Sequence, residues 1–132
     1  MDRINRNANI PNIEDFLYTE LSKDLSNIKN GFFPKVLKEG KDDSIVMIDV
    51  AGDIDYDRTP IKVDVYIWLC AKNNGYKNSA LLKEMESKLD NIVEKFQDEQ
   101  NIYLLNKKRA KAMYINDAEY SCNMITIRVT VL

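Results

Sequence analysis

The stretch IKVDVYIWLCAK, residues 61 to 72, repeats with a period of two over its whole length. Ile61, Val63, Val65, Ile67 and Leu69 take every second position, with Lys62, Asp64, Tyr66, Trp68 and Cys70 between them. Strand side chains point alternately to two faces, so this spacing puts the aliphatics on one side; a helix would scatter them. The chain must therefore build a sheet with one apolar face, and its remaining elements must cover that face. The interleaved set starts polar and turns aromatic. That change predicts a back face that is wet at one end and covered at the other.

Other segments follow the same logic. SIVMIDV, 44 to 50, is β-branched and short, which predicts a strand. KAMYIN, 111 to 116, and NMITIRVTVL, 123 to 132, read as a final strand pair, and IYLL, 102 to 105, as a brief strand or a connector. NIEDFLYTELSKDLSNI predicts a helix, because Ile13, Phe16, Leu17, Leu21, Leu25 and Ile28 recur at steps of three and four. Asn12 is its expected cap and Gly31 its stop. SALLKEMESKLDNIVEKF, 79 to 96, predicts a second helix with an apolar stripe from Leu81 to Phe96. NNGY, 73 to 76, reads as a turn. FFPKVLKEG, 32 to 40, holds Pro34 and reads as a connector or short edge strand. Residues 1 to 11 read as a loose arm.

The order α, β, β, α, β, β with short loops favours antiparallel pairing. One apolar stripe per helix and one apolar face per strand predict an α+β fold. It is a two-layer sandwich, with a mainly antiparallel sheet and two amphipathic helices packed on one face. A chain of 132 residues is expected to form a single domain, 1–132.

Composition removes most chemistry. The chain has no histidine, so Ser-His and Cys-His nucleophile systems are excluded and imidazole metal ligands are absent. Two cysteines cannot fill a structural zinc site. No glycine-rich phosphate loop and no CxxC occurs. Carboxylate chemistry with magnesium survives this filter and little else does, although no bound metal or cofactor is expected. No apolar run of about 18 residues predicts a membrane span, and the N-terminus reads as no signal peptide, so a cytoplasmic origin is expected. Cys70 and Cys122 read as two small buried hydrophobes in a reducing compartment. A disulfide would need matched strands, which sequence does not reveal.

The charges are segregated. From Glu39 to Asp64 there are eight acids and three bases; from Asn101 to Ala112 there are four bases and no acid. The acidic centre is GDIDYDRTP, with Asp53, Asp55 and Asp57 at alternate positions. An EF-hand reading fails at Arg58, where the loop needs glycine, and at Pro60. A nuclease-type cluster of Asp49, Asp64 and Lys62 is conceivable on adjacent strands. The simplest reading is a hairpin loop, with Gly52 permitting the turn and Pro60 setting entry to the next strand. The basic stretch Lys107, Lys108 and Arg109 reads as a solvated strand end or as a surface for an acidic partner. Nucleic acid is disfavoured, since no aromatic interleaving accompanies it.

The layout resembles the tail-terminator family of long-tailed bacteriophages and phage-tail-like particles. Three features carry the resemblance: the helix IEDFLYTELSKDLSNI before the connector FFPKV; the acidic pair VMIDVAGDIDYDRTPIKVDVYIWLC ahead of the helix NSALLKEMESKLDNIVEKF; and the final strand ITIRVTVL. The likeness spans almost the whole chain and is one of length and order, without a diagnostic motif. It implies a non-enzymatic virion protein made in the host bacterial cytoplasm. Such a protein forms a six-membered ring on the tail tube, stops its growth and offers a surface to the head connector or the last sheath layer. DNA would only pass through the lumen. The resemblance implies two placements for Asp53, Asp55 and Asp57: against Lys107, Lys108 and Arg109 of the next subunit, or lining the lumen, where negative charge repels DNA. The lumen is the favoured of the two. A head-side stopper or connector, a magnesium-dependent nuclease and a small bacterial binding module are the alternatives.

Overall fold

The computed structural model describes residues 9–30, 42–51, 60–98, 102–113 and 119–132. Helix α1 spans Asn9–Leu21 and is followed by strands β1 (Ile28–Asn30), β2 (Ser44–Ala51) and β3 (Ile61–Lys72). Helix α2 spans Ser79–Lys95, and strands β4 (Tyr103–Met113) and β5 (Tyr120–Val131) complete the described chain. The strands form one sheet in the order β1-β2-β3-β5-β4. β1 runs parallel to β2, and every other neighbouring pair is antiparallel. The fold is α+β, as the alternation and the two helical stripes imply.

β3 has the expected bounds, and its aliphatics face the helices. Val65, Ile67 and Leu69 are fully buried, beside Ile127 and Ile125 on β5 and Ile48 and Val46 on β2. Both helices press onto this face. Ile13, Leu17 and Leu21 of α1 and Met85, Leu89, Ile92 and Val93 of α2 share one core with it. Burying each such side chain contributes about 1.5–3 kcal/mol. Phe16 ties the layers at one end: its ring is edge-on to Phe96 at 4.9 Å and stacked on Tyr103 at 4.3 Å.

α1 differs from its sequence expectation at both ends. It begins at Asn9, so residues 9–11 are helical rather than part of an arm, and Asn12 lies inside the helix rather than capping it. Pro11 is tolerated because a first helical turn leaves its N–H groups unbonded. The helix stops at Leu21, well before Ile28. Ser22 turns its hydroxyl back onto the Tyr18 carbonyl at 2.6 Å, and the Lys23 and Asp24 amides donate three residues back, to the Glu20 and Leu21 carbonyls. Leu25 stays in the core. Asn27 then takes a left-handed φ of 57°, which asparagine accepts, and releases Ile28 into β1. The periodicity from Ile13 to Ile28 is therefore shared between a helix, a turn and a strand.

α2 agrees with expectation. Asn78 caps it by accepting the Leu81 N–H at 3.2 Å, and Gly75 in the preceding turn has φ 76°. β4 does not. IYLL and the first half of KAMYIN are not separate pieces, because residues 103–113 form a continuous edge strand; 114–116 lie outside the described residues. A β-bulge between Lys107 and Arg109 breaks its alternation, which hid the strand from a period-two reading. The connector FFPKVLKEG lies outside the described residues.

The back face behaves as the interleaved set of β3 foretold. Lys62 is exposed, Asp64 and Tyr66 are half-buried, and Trp68 and Cys70 are buried. At the covered end Ile45, Met47, Trp68, Tyr120 and Cys122 pack together. Cys70 and Cys122 stand directly opposite each other on β3 and β5, with Cα atoms 4.2 Å apart, and are joined as a disulfide. This corrects the expectation of two separate buried thiols. Their strands meet in register, a fact of pairing that the spacing of 52 residues does not reveal.

Candidate functional site

The antiparallel β2–β3 pair confirms the two strands that flank the acidic loop; Asp53, Asp55 and Asp57 themselves lie outside the described residues. Ala51 ends β2 opposite Asp64, so the loop connects those two strands at that level. Of the acids described, Asp42 and Asp43 are exposed just before β2 and Asp49 is half-buried on it. Within the strands themselves β2 carries one acid, Asp49, and β3 carries Asp64 together with Lys62 and Lys72. β4, with four bases, forms one edge of the sheet, and β1 forms the other.

The bulge decides what each base of β4 does. Lys107 faces the helices, opposite Ile127, and its ammonium lies 3.0 Å from Asp90 and 3.6 Å from Glu86 on α2. Arg109, two residues on, would share that side in a regular strand. The extra residue instead sets it opposite Thr126, on the back face, and Lys111 follows opposite Met124. Among the described residues Lys108, Arg109 and Lys111 have no ion-pair or hydrogen-bond partner, and residues 106–112 are all exposed. The structure therefore separates the three bases expected to act together. Lys107 is held by α2, and Lys108 and Arg109 have no partner among the described residues. Lys111 joins them, although the sequence reading had not singled it out. Its signal was present: it stands two residues after Arg109, on the same side of a strand.

The back face beside these bases is polar. Asp64 stands opposite Arg128 and accepts its Nε hydrogen at 3.0 Å. That bond and the carboxylate's charge hold the Arg128 guanidinium above its usual pKa. The partner reduces the case for a nuclease-like cluster of Asp49, Asp64 and Lys62, since Asp64 is already engaged. Among the described residues no group of three or more acids and cysteines is placed to hold a metal ion. Thr126 is 5% exposed, and its hydroxyl is buried without a hydrogen-bond partner among the described residues.

Tyr120 closes the covered end by donating its hydroxyl to the Asp42 carbonyl. Burial, with Asp42, Asp43 and Glu119 nearby, pushes its pKa up. No described helix is long and apolar enough to cross a membrane. No protein-family model and no curated protein matches the chain.

Proposed function

We propose that this chain is a tail terminator: a structural protein that caps a phage or phage-like tail tube as a ring, stops its polymerisation and docks the head connector or last sheath layer. The observation that supports the reading is the basic edge strand β4, whose Arg109 and Lys111 share its exposed back face, in a chain whose acids cluster in the sequence at GDIDYD. A closed ring of identical subunits joins two different patches head to tail, and unlike charges at the two sides favour that contact over a symmetric dimer. The α+β class agrees with the fold the resemblance implies, with the short parallel strand β1 added to the expected order. On this reading the partners are other copies in a hexameric ring, the tube protein, and sheath or head connector. DNA passes through the lumen, and no cofactor is used.

The test is reconstitution. Purified chain added to polymerising tube protein should arrest elongation and leave a ring at one end of each tube by electron microscopy. Unchanged tube growth, with the protein found instead on the head side of complete particles, would identify a connector.

A further inference from the structure

We infer that the outer edge of β4 takes the Asp53–Asp57 stretch of a second copy of this chain by strand addition, with Arg109 and Lys111 as the residues that select it. The inference deepens the ring reading and rests on it only in requiring that copies associate.

β4 pairs with β5 on one side, and among the described residues no strand pairs its other side. Its backbone groups there are open to a further strand, the usual hazard of a sheet edge. Lysines and a bulge are also what protects an edge from indiscriminate pairing. The same charges that repel a basic strand, and that a neutral one would desolvate without compensation, reward an acidic one, so protection and selection come from one device. Arg109 and Lys111 lie on one face of β4, two residues and ~7 Å apart. The sequence GDIDYD repeats carboxylates with that same period. A strand laid along β4 in register would set two of its aspartates against Arg109 and Lys111 on the back face, and such directly opposed pairs stabilise strand pairing. On the other face Ala110 and Ala112 are small and exposed, so nothing bulky blocks the approach. Lys107 takes no part because Glu86 and Asp90 already hold it.

The test is sedimentation velocity on the full chain at low and high salt, with hydrogen exchange on the associated form. Wild type should associate, more weakly as salt rises. R109E/K111E should weaken association by about tenfold or more, and D53K/D55K/D57K likewise. An equimolar mixture of the two variants should restore it, because each then offers what the other needs. That rescue also shows that neither variant is misfolded. Association should slow exchange at alternate amides of β4, which side-chain pairing alone would not do. Wild-type assembly by R109E/K111E, absence of rescue in the mixture, or unchanged β4 exchange would overturn the edge contact while leaving a ring possible. A wild-type chain that stays monomeric both in solution and on tube ends would overturn the edge contact and the ring together.

Discussion

Lys107 on β4 and Asp90 on α2 face each other at 3.0 Å, bracing the edge strand against the helix layer. Arg109 turns to the opposite side of the same strand. The bulge between them divides one run of bases into a structural cation and an outward-facing set.

That division predicts separable phenotypes. Lys107→Ala should lower stability by about 0.5–1 kcal/mol, the range of a partly exposed ion pair, and leave self-association unchanged. Urea unfolding at low and high salt checks it, since screening should shrink the difference.

The Cys70–Cys122 bond closes a long loop between the two central strands. Reduction should therefore cost about 2–4 kcal/mol by relaxing a constraint on the unfolded chain. Denaturant midpoints with and without reductant measure this directly. Cys70→Ala should reproduce the reduced value, and equal midpoints in both states would show that the bond carries no stability.

Thr126→Val should raise stability, by about 1 kcal/mol. The hydroxyl is buried and unsatisfied among the described residues, so valine keeps the shape and removes the desolvation cost. Thermal melts of the two proteins decide the sign.

Stability should also fall in alkali. Tyr120 has its pKa raised above 10.0 by burial first and by Asp42, Asp43 and Glu119 next. A folded pKa above the unfolded one means the neutral phenol is favoured in the fold. The contribution is whole below about pH 10 and is lost as pH rises through the folded value. Burial raises Tyr103 in the same direction. Tyr120→Phe should flatten the decline above pH 10, at the cost of about 1 kcal/mol at neutral pH for the lost bond to Asp42. Urea unfolding of both proteins across pH 8 to 11 reads both effects, with those bounds chosen about the tyrosine reference.

Sequence legibility followed regularity. β3 and α2 could be read almost residue for residue because each keeps one period and each buries one clean face. α1 was legible in its centre and not at its end, where Leu25 and Ile28 keep helical spacing while the backbone changes state at Ser22 and Asn27. β1 is too short for a pattern and depends on its partner β2. β4 was concealed by its bulge. The charge of NKKRAK was plain in the sequence. Which base turns inward was not, because one extra residue in the ladder sets it. The disulfide was likewise a matter of register.

The most direct test of the terminator reading is tail length after deletion of this gene from its source particle, measured by electron microscopy. The account predicts tubes that run well past their normal length. Complete particles with tails of normal length would contradict it.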